Sequence, residues 1–405
     1  MLKPSLDDLF KSSIRSVLKN KSRTLLTTLG VIIGVTSVIL LTSIGNGLKI
    51  YVNQQFEALG SNTIFVSPGK IFNDNGGFSN SRSGLVTTSF TEKNVTDLRR
   101  GLKTNLIMPL KTTVVEVKSN TIKKTGTLIG TNYLYGPNNN AAPSSKNGRW
   151  FTKEEEDKES SVVILGFTLA NELFPSGNAL GKKIVVNSKN LKIIGVNDKK
   201  GSSFGGPSVD EYLYAPFGIA ADIAGDQNIQ QIVIKAADKS QIESTKEKTK
   251  KVLLENFDKD AFSVFDSAQL LNSINSIIST LTIALTGIAA ISLVVGGIGI
   301  MNIMLVTVSE RTREIGLRKA IGAYPRAILI QFLFEAIILS GLGGFIGIIL
   351  GSLGTLAINN FFPAKVTLGS VLLAFGVSFL VGIVFGVAPA RKASKLSPIE
   401  ALRYE

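Results

Sequence analysis

Neither cysteine nor histidine occurs in the 405 residues. Their absence excludes disulfides, thiol nucleophiles, imidazole bases and the usual zinc ligands, so the catalytic chemistry open to the chain is narrow. It also removes any marker of redox compartment. Aromatic residues are sparse at 7%, with a single tryptophan. Negative charge is in deficit too: 30 acidic residues against 44 basic ones leave a formal charge of +14. A nucleic-acid partner would require those bases to gather on one folded face. Many instead flank long apolar runs, so the expected partner is a lipid bilayer and no nucleic acid.

Apolar residues, by contrast, are abundant at 44% and unevenly spread, gathered near the N-terminus and in the last third. No charge interrupts the stretch between Arg23 and Lys49, and residues 24–48 exceed the ~20 needed to span lipid. The segment before it is too charged for a signal-peptide core, and no small-x-small site follows, so this run reads as a retained span. A second uncharged stretch lies between Asp266 and Glu310. In its first part, Leu270, Leu271, Ile274, Ile277, Ile278 and Leu281 fall at helical spacing among Asn and Ser residues. Residues 267–308 therefore read as one stalk-and-span helix, amphipathic outside lipid and buried in it from about residue 281. At ~1.5 Å per residue it would reach about twice the ~30 Å hydrocarbon thickness. Two more spans are expected at 327–357 and 367–390, joined by a turn at 358–366. Glu335, near the start of the third span, is expected to stay hydrated at the interface. Positive residues decide orientation. Lys11, Arg15, Lys19, Lys21 and Arg23 precede the first span. Arg311, Arg313, Arg318, Lys319 and Arg326 lie between spans two and three, and Arg391, Lys392, Lys395 and Arg403 follow the fourth. All fall on one side only with four spans and both termini cytoplasmic, which predicts a multi-pass membrane protein.

The fold class predicted is a membrane protein of four transmembrane α-helices, with a large α+β extracytoplasmic domain inserted between helices 1 and 2. That domain, residues 49–266, alternates β-branched runs (62–66, 112–117, 122–129, 183–186, 191–196, 230–234, 262–265) with helical stretches (91–100, 167–173, 241–256), in two expected lobes. Segments 72–89 and 136–147 are rich in Gly, Asn and Ser and read as loops. Gly181-Lys182-Lys183 looks like the end of a phosphate loop, but Ser176 stands where the pattern needs Gly, and Lys183 where it needs Ser or Thr. No catalytic residue, metal ligand or directly bound cofactor is expected.

Two cytoplasmic pieces stand out. In residues 1–23, Ser5 can cap a helix whose apolar face is Leu6, Leu9, Phe10, Ile14 and Val17, suited to lie along the membrane surface. The loop at 309–326 reads as a short helix with Glu314 and Arg318 paired four apart and Gly322 as its stop. A plain positive anchor does not need acids among the bases, nor apolar Ile315, Leu317 and Ile321. Glu310, Arg311, Arg313, Glu314, Ile315, Leu317, Arg318 and Lys319 together suit docking into a partner's groove. A short tail, 391–405, closes the chain.

These pieces resemble the membrane signature of MacB-type, FtsX-like ABC transporter permeases. The resemblance is carried by Met301-Asn302-Ile303-Met304-Leu305-Val306 and Glu310-Arg311-Thr312-Arg313-Glu314-Ile315-Gly316. Pro389-Ala390-Arg391-Lys392-Ala393, the tail Ser397-Pro398-Ile399-Glu400-Ala401-Leu402-Arg403 and the first span from Arg23 to Val35 carry it further. The resemblance implies a homodimer in the bacterial cytoplasmic membrane, in which the 309–326 loop and the N-terminal helix rest on an ABC ATPase. It implies a separate ATPase chain that holds the ATP, and outer domains that act on a drug, peptide or lipid-linked cargo by transmitted motion. It extends to a membrane-fusion-type adaptor as a further partner. The same architecture also serves regulators of cell-wall hydrolases and lipoprotein-release permeases, which stand as alternatives.

Overall fold

Lipid offers no partner for a backbone N–H or C=O, so apolar runs of this length are satisfied only as helices. In this computed structural model, which describes residues 21–59, 62–73, 77, 89–104, 106–120, 122–175, 177–201 and 208–403, four helices are long and apolar enough to cross a membrane. The expected surface face Leu6, Leu9, Phe10, Ile14 and Val17 lies outside the described residues.

In chain order, helix α1 (Lys21–Leu59) leads to strand β1 (Thr63–Pro68), helix α2 (Glu92–Leu102) and strands β2 (Ile107–Ser119) and β3 (Ile122–Thr131). Then come β4 (Val162–Leu165), α3 (Phe167–Leu173), β5 (Lys183–Val186), β6 (Lys189–Val196) and β7 (Tyr212–Pro216). Helix α4 (Phe217–Ala224), β8 (Gln231–Lys235), α5 (Ile242–Leu253) and β9 (Phe262–Asp266) complete the insert. The rest is helical: α6 (Ser267–Glu310), α7 (Thr312–Ala320), α8 (Pro325–Ile358), α9 (Leu368–Lys395) and α10 (Pro398–Arg403). The chain divides into two compact units, one of residues up to Val52 and from Asn275 onward, the other Asn53–Ile274.

The inserted unit is organised by β2. Its first residues, Ile107–Leu110, pair with β8, and Lys111–Ser119 pair with β3. Val117 and Lys118 also pair with β5, so β2, β3, β7, β4, β6 and β5 close a circuit of six strands. On the other side β8, β1 and β9 continue the sheet. Two of the hydrophobic cores of this unit follow from the division. Val115, Leu128, Val163, Leu165, Ile193 and Leu213 fill the first, beneath α3 and α4. Ile64, Val66, Leu98, Ile107, Ile232 and Ile234 fill the second, beneath α2 and α5. Thr91 stands at the N-cap of α2, where the Asn94 side chain accepts from its backbone N–H at 2.8 Å.

Small residues set the packing of the membrane unit. A Cβ on Gly30 would lie 2.5 Å from Gly296 Cα, so α1 and α6 touch backbone to backbone. Gly34 meets Leu293 and Gly45 meets Thr282, so the numbers fall along α6 as they rise along α1 and the pair is antiparallel. Gly343, Gly347 and Gly351 of α8 meet Val31, Val35 and Ile39, rising together, so α1 and α8 are parallel. Gly344 meets Ser378, Gly382 meets Ser340 and Gly386 meets Ala336, which makes α8 and α9 antiparallel. The spans thus alternate in direction. The glycine rows at 30–34, 343–351 and 382–386 are all spent on contacts inside the chain. At one end Lys365 N–H donates to Ser43 O at 2.9 Å, and Asn46 Nδ2 donates to Thr367 Oγ1 and Ser370 Oγ, each at 3.1 Å.

Candidate coupling site

The most chemically specific arrangement in the membrane unit is the short connection between α6 and α8. Helix α6 stops at Glu310, and Arg311 occupies the N-cap of α7. Helix α7 ends in a Schellman motif: Ala323 N–H bonds to Arg318 O at 2.9 Å and Gly322 N–H to Lys319 O at 3.0 Å. Gly322 has φ +99°, the left-handed conformation that glycine adopts without cost. Tyr324 is extended ahead of Pro325, as a residue before proline must be, and Pro325 opens α8 at a position where no N–H is needed.

The charged residues on this connection fall into two sets. Arg311 binds Glu314 through two hydrogen bonds of 2.9 and 3.1 Å, and reaches Glu335 of α8 at 2.9 Å. Glu335 is 3% exposed, so it is buried and paired, not hydrated at the interface as its position near the start of the span predicted. A lone carboxylate would carry a heavy desolvation cost there, and the Arg311 guanidinium, lying 5.5 Å over the Phe332 ring, offsets it. Burial works to lower the Arg311 pKa, but the hydrogen bonds and charges of Glu314 and Glu335 outweigh it and hold the group above its ordinary value. Arg318 completes the cluster, donating to Glu314 and, at 2.6 Å, to Gln331 Oε1. Lys319 donates to the carbonyls of Ser394 and Leu396, both at 2.6 Å, and so ties α7 to the end of α9. Burial pushes its pKa down. A Cβ on Gly316 would lie 2.6 Å from the Ala401 methyl, which seats α10 directly on α7.

The second set faces outward. Ile315 points into the bundle core, 3% exposed, whereas the docking pattern had placed it with Leu317. Leu317 at 56%, Ile321 at 79%, Tyr324 at 55% and Ile399 of α10 at 73% are open. Glu310 and Arg313 are exposed beside them. The expected residues therefore separate: Arg311, Glu314, Ile315, Arg318 and Lys319 build the platform, and Arg313 and Leu317 stand on its outer surface. Sequence reasoning passed over Gln331 and Tyr324, and it read Ile399 only as part of a motif. No local spacing signals Gln331, whereas the exposed Ile399 follows Ser397-Pro398, a visible helix start.

The match to known proteins covers both units. A family described as MacB-like periplasmic core domain matches residues 24–252, and one described as FtsX-like permease C-terminal matches residues 286–398. The macrolide export ATP-binding/permease protein MacB of Azoarcus sp. (strain BH72) is 36% identical over 398 residues, 98% of this chain and 59% of its own length. The protein of the same name from Wolinella succinogenes is 37% identical over 413 residues, 99% of this chain and 61% of its own. This chain thus spans about three-fifths of the length of the curated relatives it matches. A crystal structure of the periplasmic region of MacB from Actinobacillus actinomycetemcomitans aligns with 55% of this chain and 97% of its own, at 20% identity and a TM-score of 0.44.

Proposed function

Because the chain belongs to the MacB-like, FtsX-like family of ABC transporter permeases, we propose that it passes motion from an ATPase to its extracytoplasmic domain. ATP is bound and hydrolysed by an ABC ATPase on a separate chain, at the cytoplasmic side, and the arginines and lysines flanking the spans favour that side for both termini. The chain works as a homodimer in the bacterial cytoplasmic membrane, with a membrane-fusion-type adaptor outside. Its cargo is a drug, peptide or lipid-linked molecule taken up from the outer face.

The observation that carries this reading is the apolar surface of Leu317, Ile321, Tyr324 and Ile399, exposed among the described residues, on a platform bonded to α8 and α9. A patch that unites open aliphatic side chains with Arg313 is the composition of a protein interface, where a few central apolar anchors supply most of the energy. Pressure on α7 would reach α8 through Arg311 and Glu335, and α9 through Lys319. Helix α6, 44 residues without a break, is the element that connects β9 of the inserted unit to the platform in the chain.

The test is co-purification of the tagged chain from its native host with the double variant Leu317→Asp/Ile321→Asp beside it. An ABC ATPase recovered in near-equal amount with the wild type, and bound at least ~30-fold more weakly by the variant, is the expected result for two anchors of about 1–2 kcal/mol each. Undiminished recovery with the variant refutes the docking surface. A wild type that brings down a cell-wall hydrolase and no transport adaptor replaces export with regulation.

A further inference from the structure

The inserted unit holds an open cavity of about 320 Å³ where the end of α5, the start of β9 and the chain leaving β1 come together. Backbone bonds frame it. Gly69 N–H donates to Ala261 O at 2.8 Å, and Ser263 Oγ accepts from Ile71 N–H and donates to Gly69 O, each at 2.7 Å. Gly69 turns the chain with φ +81°, so the strand exit is pinned along β9 instead of crossing the opening.

Its lining has two chemically distinct parts. Phe72 and Phe262, both largely buried, form an apolar wall with Leu254, which is 51% exposed at the mouth. Lys70, Lys250 and Lys259 supply three cations against the single carboxylate of Asp260. Lys70 is paired with Asp260 at 3.0 Å, and Lys250 reaches out to Glu247 at 2.8 Å. Lys259 has no carboxylate partner among the described residues. It is held at the rim by the turn in which Ala261 N–H bonds to Asp258 O at 3.0 Å. Two net positive charges, three lysines less one aspartate, therefore surround an aromatic wall.

We infer that this cavity binds a small amphiphilic anion, with its apolar tail against Phe72, Phe262 and Leu254 and its single negative headgroup among Lys70, Lys250 and Lys259. Concave apolar sites with a few convergent polar groups are the usual form of small-molecule sites, and this one lies at the small end of their range. At ~30 Å³ per water-sized group the cavity holds about ten non-hydrogen atoms, the size of an eight-carbon carboxylate. Lysine ammonium groups act as point charges and do not demand a planar partner, so the headgroup is recognised by charge more than by shape. A cation of equal tail length meets repulsion, and a neutral alcohol forgoes the headgroup attraction. Use of this cavity for cargo rests on the export reading; binding itself does not.

The test is calorimetric titration of octanoate into the full chain in lipid nanodiscs, with empty nanodiscs as reference. Saturable binding is expected, weakened by at least about tenfold in Lys250→Glu/Lys259→Glu and also weakened in Leu254→Asp. Both variants change side chains at the surface, and circular dichroism reports whether the fold is intact. Octylammonium should not compete. Binding no greater than that of empty nanodiscs overturns the inference, as does equal binding by the lysine variant or by octylammonium. Octanoate binding by a chain that recruits no ATPase would remove the export reading and leave the cavity. A recruited ATPase with no octanoate binding would remove the cavity alone.

Discussion

Replacing Glu335 with Gln keeps the shape of the side chain and one acceptor oxygen but removes its charge from a site that is 3% exposed. Taking away one partner of a fully buried ion pair costs about 3–5 kcal/mol, because the other charge stays buried and uncompensated. Here Arg311 would be only partly stranded: it is 21% exposed and keeps both of its hydrogen bonds to Glu314. Solvent and the second carboxylate screen part of the loss, so the expected cost is about 2 kcal/mol. Arg311→Gln strands Glu335 in the same way and should cost at least as much. If the two groups form one unit, the double variant loses less than the sum, with a coupling of about 1–2 kcal/mol. The assay is SDS-titrated unfolding of the chain in mild detergent, followed by circular dichroism, in which the long helices dominate the signal. Single-variant losses that add to within about 0.3 kcal/mol would refute the pairing. A Glu335→Gln loss below about 0.5 kcal/mol, the range of ordinary surface changes, would restore a hydrated carboxylate.

Gly347→Leu places a side chain where even a Cβ would lie 2.8 Å from Val35 Cβ and 2.9 Å from Ile32 O, so α1 and α8 must part. The same detergent titration should show a loss of about 1–3 kcal/mol, as overpacking does, whereas Gly376→Leu, which meets nothing within 4 Å, should be neutral. In the inserted unit, Lys111 is 2% exposed and donates to Asp226 at 2.5 Å. Asp226→Asn should cost about 1–3 kcal/mol near neutral pH by weakening the carboxylate contact of that buried ammonium group. The hydrogen bond from Lys111 holds Asp226 below its usual carboxylate range. Its contribution is therefore present above the unfolded value of about 3.9 and lost as pH falls through the depressed folded value. Urea unfolding at a series of pH values should show wild type and variant converging in acid; a gap that persists there refutes the assignment.

The four long apolar helices were legible because lipid enforces them: a run of uncharged length can be satisfied there only as a helix. Strands β5 and β6 were legible from alternation, and α2 from the Thr91 start. Strands β4 and β7 were not, because Val162–Leu165 is a run of four buried apolar residues with no polar face and Tyr212–Pro216 is buried from its second residue on. Such runs carry no period to distinguish strand from helix. The stalk reading also overstated its apolar face. Ile277 is 48% and Leu281 57% exposed, whereas Ser273 is buried, since burial on α6 follows its neighbours and not the polarity of its own residues. At the coupling site the Glu314–Arg318 pair was visible from spacing. The Arg311–Glu335 pair, 24 residues apart, depends on how α7 folds back onto α8, and no local pattern encodes that.

The row of glycines on α8 has one more consequence. Gly343, Gly347 and Gly351 take Val31, Val35 and Ile39 as teeth take a rack, at a pitch of four residues on both helices. A rack of that kind would mesh equally well after a slip of one turn, about 5–6 Å, were it endless. It is not: the next positions at the same pitch are Leu339 and Thr355, both buried. A slip in either direction drives one of these larger side chains onto a β-branched partner. The three-toothed rack therefore has end stops. A slip of α1 along α8 by one turn meets resistance at both ends of the row.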